Sequence, residues 1–392
     1  MLTWQREVDM HIVIAPQSLK GSLTAAEAGA AIAEGVRAVY PEAECVIVPV
    51  ADGGEGTVQA LVDATGGQIV HQTVTGPLGE PVEAFFGLLG NGETAAIEMA
   101  ACAGLPLVPP KRRDPRITTT YGVGELILAA LERGCHHFII GIGGSATNDG
   151  GAGMAQALGA SLQTSAGVEI ARGGAALATL AHIDTSMLDS RLADCQFEVA
   201  CDVNNPLCGP MGATEVYGPQ KGATPEMIVL LDAALAHYAE IIKQNLGFSV
   251  KDIPGAGAAG GLGAGLIAFL HATLRPGAQI VLEAVHLEEQ LAGADLVITA
   301  EGQLDAQTAY GKSVGAVAEL AKRYHLPVLA LAGGLGEQYR SVYSLGVDAV
   351  AVLPSGPMSL DDAMTHAAAL TSDAMERTLR LLALGKTLQN VT

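Results

Sequence analysis

The apolar positions of this chain gather into short unbroken runs. Ile12-Val13-Ile14, Cys45-Val46-Ile47-Val48, Leu296-Val297-Ile298, Val328-Leu329-Ala330-Leu331 and Ala349-Val350-Ala351-Val352-Leu353 each end in a polar or glycine-rich turn. Helical periods lie between them at 24–38, 55–65, 312–324 and 359–382. Strands that are apolar throughout and alternate with helices predict a parallel sheet covered on both faces. Ligands of such sheets bind beyond the carboxyl ends of the strands, where these polar turns would gather.

The middle of the chain has a different texture. Thr73–Phe86 alternates and contains Gly-Pro-Leu-Gly, a hairpin signal. A strand-like Ala95–Met99, a helix near 122–133, a glycine-rich run and the strand-like Phe197–Ala200 follow. The pattern predicts a discontinuous α/β domain from both chain ends (10–74 plus 286–392). A second α/β domain (75–285) interrupts it. Residues 1–9 are polar, carry the only tryptophan, Trp4, and read as an N-terminal appendage, with Met10 as an alternative start.

Composition narrows the class. A length of 392 residues suits two domains, and 49% hydrophobic against 16% charged residues argues for sizeable cores over disorder. A net charge of −20 speaks against nucleic acid and anionic membrane as partners, since the densest basic cluster is only Lys111-Arg112-Arg113. Six cysteines without a Cys-x-x-Cys pair or a secretory signal predict reduced thiols in the cytoplasm. Residues 253–274 lack Asp, Glu, Lys and Arg, yet hold six glycines, which predicts a glycine-rich loop feeding a buried helix instead of a membrane span. His136-His137 would point to opposite faces of a strand, which argues against a metal pair.

Chemistry concentrates in the turns. Residues 141–153, Gly-Ile-Gly-Gly-Ser-Ala-Thr-Asn-Asp-Gly-Gly-Ala-Gly, lie between an apolar run and a helix-forming one. Glycine amides there suit an anion, with Gly143, Gly144, Ser145, Thr147 and Asn148 as phosphate-binding candidates and a packed turn as the alternative. Ser18 and Lys20 occupy the first turn, ahead of a helix capped by Thr24 and Glu27. Asp52, Gly53, Gly54 and Glu55 follow the second run; Asp52 could hold a metal or cap the next helix. Asp202, Asn204 and Asn205 suit either a carboxylate base steadied by amides or an Asx-rich turn. Asp305 and Lys312 sit in 301–313. Gly311-Lys312-Ser313 imitates the end of a Walker A loop, but Ala306 stands where its first glycine belongs. Gly255–Gly260 matches Gly-x-Gly-x-x-Gly without a preceding strand, so close backbone packing or a wall of the site accounts for it better than a dinucleotide.

Ile14–Leu23, Pro49–Thr57, Ile142–Gly153, Ala200–Lys221, Pro254–Gly265 and Glu301–Lys312 together resemble the bacterial glycerate kinase family, of the type that phosphorylates C2. The likeness runs from Met10 through nearly the whole chain. It implies a flavodoxin-like domain with an inserted second domain, and ATP-dependent, magnesium-assisted phosphorylation of D-glycerate in glyoxylate or sugar-acid catabolism. Within that reading Asp202 is the base candidate, and Lys20, Arg116 and Lys312 are the anion-binding cations. Asp52 and Asp305 are the magnesium candidates, in a cleft between the domains. A homo-oligomer is compatible with it. The sequence departs from the family at Gln17, where aspartate is usual, and at Leu19, where phenylalanine is usual. Glutamine keeps the size and an acceptor oxygen but loses the charge.

Two other classes remain open on the residues alone. A nicotinamide hydroxy-acid oxidoreductase rests only on Gly255–Gly260 and would change absorbance at the nicotinamide band without a nucleoside triphosphate. A non-catalytic small-acid binding protein would bind glycerate yet release no ADP.

Overall fold

The computed structural model describes residues 10–309 and 312–389; the appendage expected at 1–9 and Gly311 of the Walker-like triplet fall outside them. Its strands are β1 (His11–Pro16), β2 (Glu44–Ile47), β3 (Gln68–Thr75), β4 (Pro81–Leu88), β5 (Thr94–Glu98), β6 (His137–Gly141), β7 (Ser161–Gln163), β8 (His182–Asp184), β9 (Gln196–Ala200), β10 (Thr273–Arg275), β11 (Leu296–Leu304), β12 (Val328–Leu335) and β13 (Ala349–Val352). The described residues divide into two compact units. One draws on residues 10–52, 59–64, 281–309 and 312–389, the other on residues 53–58 and 65–280.

The unit built from the chain ends holds a five-stranded sheet, ordered β2-β1-β11-β12-β13 and parallel throughout. Counted within the unit this is 2-1-3-4-5, the flavodoxin-like doubly wound order. The apolar runs make it so: Ile12, Ile14, Ile298, Leu329 and Leu331 are buried with Ile32, Val36, Met375 and Leu379 of the helices Ala25–Arg37 and Ala367–Gln389. Thr24 and Glu27 cap the first of these helices reciprocally, Thr24 Oγ1 accepting from Glu27 N at 3.2 Å and Glu27 Oε2 from Thr24 N at 2.8 Å.

The expected turn after Ile298 is partly strand. β11 continues through the polar Thr299–Leu304 because β12 pairs with it as far as Gln303↔Gly334 and Leu304↔Leu335. β1 pairs with β11 only up to Pro16↔Ala300. The ends of β11 and β12 therefore project as a two-stranded ribbon past the edge where β1 stops.

The other unit carries the order β3-β4-β5-β6-β9-β10. β3, β4 and β5 are antiparallel neighbours, and β5, β6, β9 and β10 are parallel. Phe86, Ile97, Phe138, Ile140 and Leu126 lie in its core, and the Phe138 and Phe197 rings stack at 4.7 Å. β3 pairs with β4 over its full length, so residues 68–74 group with the middle of the chain and not, as the first boundary at 74 would have it, with its ends.

Residues 253–274 form a turn and the helix Ala258–Leu270, whose first turn is kinked by left-handed backbone at Ala259–Gly261. Among the described residues no helix is long and apolar enough to cross a membrane. His137 meets Glu198 at 2.9 Å while His136 faces Glu93 at 3.7 Å, so the adjacent histidines do diverge. All six cysteines are free thiols.

Candidate functional site

The carboxyl edge of the flavodoxin-like sheet gathers most of the charged candidates. β1 delivers half-buried Ser18 and exposed Lys20, and Lys20 lines a cavity with Gln303, Gly333 and Gly334 of the projecting ribbon. Gln17 is 3% exposed, and its Oε1 is buried without a partner among the described residues.

β11 delivers Glu301, which sequence reasoning passed over. Lys312 Nζ stands 3.9 Å from Glu301 Oε1, and Thr308 Oγ1 donates to Oε2 at 3.2 Å. Burial pushes the Glu301 carboxyl up to about 7; Lys312 and Thr308 oppose the rise, while the negative charges of Asp52 and Asp305 add to it. Asp52, Glu301 and Asp305 thus share one electrostatic neighbourhood, with Lys312 as their nearby cation. Among the described residues no group of three or more His, Cys, Asp or Glu is placed to hold a metal. A few hard oxygen donors without a preformed cage suit a magnesium ion that arrives on phosphate and keeps several waters.

The second unit also gathers groups at the carboxyl ends of its parallel strands. Gly53 has φ +88° and lies so close to Ala200 that a Cβ would stand 2.4 Å from the alanine Cβ. Its carbonyl oxygen would meet a Cβ on Gly141 at 2.5 Å, and Gly54 Cα would meet one on Gly143 at 3.7 Å. The two glycine segments are therefore neighbours, with Gly143 and Gly144 exposed. Glu98, at the end of β5, accepts from Val58 N at 2.8 Å. Glu98 thus places a carboxylate on the first turn of the helix Thr57–Thr65. Burial raises the Glu98 carboxyl above its usual range, against the pull of the Val58, Gly56 and Thr57 amides. Asp202 and Asn204 are exposed just past β9, and Asp202 Oδ1 accepts from Gly277 N at 2.9 Å.

The latter half of the glycine-rich run is packing. Ser145, Thr147, Asn148 and Asp149 are all buried. Asp149 accepts from Thr120 N, Thr120 Oγ1, Gly151 N and Gly153 N at 2.8, 3.0, 3.2 and 3.3 Å. A protein carboxylate therefore takes the Gly151 and Gly153 amides of this run. Gly260, at φ +68°, presses on this loop; a Cβ there would lie 1.9 Å from the Thr147 oxygen. The Gly255–Gly260 motif is thus a backbone-to-backbone contact.

Lys221, also missed in the sequence, is 1% exposed and donates to Thr147 O at 2.7 Å. Asn148 Nδ2 donates to Thr214 Oγ1 at 2.9 Å. Arg116 was expected to hold an anion, but its guanidinium is already engaged by Asp114, with Nη2 and Oδ2 2.7 Å apart. That pairing also holds the Asp114 carboxyl below the usual range.

A parallel sheet with carboxylates and lysines at its carboxyl edge marks a small-molecule enzyme of the doubly wound α/β class. The model of the glycerate kinase family matches residues 12–383, and the chain belongs to that family. It is 56% identical to a glycerate kinase of Bacillus subtilis (strain 168) over 374 residues, 95% of this chain and 97% of the relative. It is 56% identical to a glycerate 2-kinase of Escherichia coli (strain K12) over 358 residues, 91% of this chain and 94% of the relative. A crystal structure from Salmonella typhimurium LT2, provisionally assigned as glycerate kinase 2, superposes with a TM-score of 0.90 at 53% identity. It covers 97% of this chain and 100% of its own.

Proposed function

We infer that the chain transfers the terminal phosphoryl group of ATP to the 2-hydroxyl of D-glycerate, yielding 2-phosphoglycerate and ADP. The observation that carries this reading is the 56% identity to a glycerate 2-kinase across 91% of the chain. The carboxylate and lysine group around Glu301 supports it, because phosphoryl transfer relies on positioning and charge neutralisation more than on covalent chemistry.

In this reading Lys20 and Lys312 neutralise phosphate charge as compact cations. The exposed Gly143 and Gly144 offer their amides to phosphate or carboxylate oxygens, and the buried Gly53 and half-buried Gly54 pack beside them as neighbouring backbone. Ser18 and Asn204 supply hydrogen bonds. Asp202 accepts the proton of the substrate hydroxyl as its oxygen bonds to phosphorus and the bond to the ADP oxygen breaks. Asp52 and Asp305 would hold Mg2+, whose chemistry there is to neutralise charge on the phosphate oxygens. Ser145, Thr147, Asn148 and Arg116 are left out, because the first three are buried and the last is taken by Asp114. The absence of a strand before Gly255–Gly260 and its backbone packing speak against the nicotinamide alternative. The free thiols fit the expected cytoplasmic location.

The reading is tested by following ADP release with a panel of small hydroxy acids in both enantiomers. D-Glycerate should be strongly preferred. Calorimetric binding of glycerate without ADP release would instead favour the non-catalytic reading.

A further inference from the structure

The carboxyl edge of the flavodoxin-like sheet holds a cavity of about 280 Å³, of whose lining the proposed roles use only Lys20. Its walls are Leu19, Leu353, Leu360, Ala363, Met364 and Leu370; its polar rim is Lys20, Ser22 and Gln303, with Gly302, Gly333 and Gly334 of the projecting ribbon. It opens beside the β1–β11 pair, the switch point of the 2-1-3-4-5 order. We propose that this cavity receives the purine base of the phosphoryl donor, with Lys20 at its mouth meeting the phosphate chain. The proposal rests on the kinase reading and adds to it the place of the nucleotide.

Shape and chemistry both select a base over the acid. The volume lies just under the roughly 300–1,000 Å³ of drug-sized sites, which suits a flat ring system with the sugar and phosphates outside. The walls are aliphatic, and a three-carbon hydroxy acid would leave a carboxylate and hydroxyls unpaired against them. Leu360 is 74% exposed at the rim, an apolar surface that a ring would cover. The Gln303 amide donates from Nε2 to Asp305 Oδ2 at 3.2 Å; its second N–H and its carbonyl oxygen are the donor and acceptor pair that an adenine edge requires. Ribbon glycines leave the space clear: nothing lies within 4 Å of a Cβ built on Gly334, whose φ is not positive. A side chain at 334 would therefore enter open space without backbone strain.

The test measures nucleotide and acid separately in Gly334→Leu, Ala363→Phe and Lys20→Ala. The two filling variants should raise the KM for ATP by about tenfold or more, while the KM for glycerate moves less than about twofold. They should also abolish competition by adenosine, which lacks phosphates. Lys20→Ala, at an exposed position that leaves folding intact, should weaken ATP but not adenosine. If the filling variants leave the KM for ATP alone, or raise that for glycerate instead, the cavity is not the base pocket. Should the wild-type chain release no ADP with any hydroxy acid, the kinase reading falls. Fluorescence titration of wild type and Gly334→Leu with a 2-aminopurine nucleotide then decides the cavity: loss of binding in the variant supports it, and equal or no binding overturns it.

Discussion

Lys312 Nζ stands 3.9 Å from Oε1 of Glu301, a carboxylate that burial pushes up to about 7. The lysine opposes the burial without cancelling it, and the charges of Asp52 and Asp305 add to it. The folded-state value therefore exceeds the ordinary carboxyl value of 4.5. Between these values the folded chain binds more protons than the unfolded one. Stability from this group is fully present below about 4.5 and is lost as pH rises through about 7. Glu301→Gln removes that loss. Its melting temperature should gain on the wild type from about pH 5 to about pH 8. Parallel curves would show that the carboxylate is not perturbed.

Lys221 titrates with the opposite consequence. Burial pulls its ammonium down to about 7 from 10.5, against the nearby charge of Asp149. Between these values the unfolded chain binds more protons, so this lysine makes stability rise with pH. Lys221→Met should show less of that rise. Thermal melts of the two proteins at about pH 7 and about pH 9.5 read the difference in slope, which is independent of the lost hydrogen bond to Thr147. Equal slopes would place the charge elsewhere.

Asp149 separates a packed loop from a phosphate loop. Asp149→Asn presents an amide N–H to donors now satisfied by oxygen, and it should cost about 1–3 kcal/mol in denaturant unfolding. A variant as stable as wild type would mean that the four bonds are not what holds residues 145–153.

Asp202→Asn keeps the shape and one acceptor oxygen toward Gly277 N but removes the proton acceptor. Steady-state kinetics should show kcat reduced by about 100-fold, the low end for base catalysis where positioning dominates, with the KM for ATP little changed. A kcat close to wild type would remove the base role.

How far the sequence could be read follows from what each signal depends on. The strands β1, β11 and β12 were legible because runs such as Ile12-Val13-Ile14 are apolar and buried on both faces, while the edge strands β2 and β13 showed only by their apolar, β-branched residues. The end of β11 was not, because Thr299–Leu304 is strand only through its pairing with β12. The interior of the glycine-rich run was hidden for a similar reason. Asp149 is satisfied by Thr120, 29 residues away, and Lys221 reaches Thr147 across 74. Glu98 and Glu301 did leave a signal: each is a lone carboxylate directly after an apolar or neutral stretch, Ala95-Ala96-Ile97 and Ile298-Thr299-Ala300.

Phosphorus NMR of the product formed from ATP and D-glycerate tests the central claim most directly. The account predicts one new phosphomonoester resonance, coupled to the single C2 proton, with ADP appearing in equal amount. An ester coupled to the two C3 protons, or ADP without any ester, would contradict it.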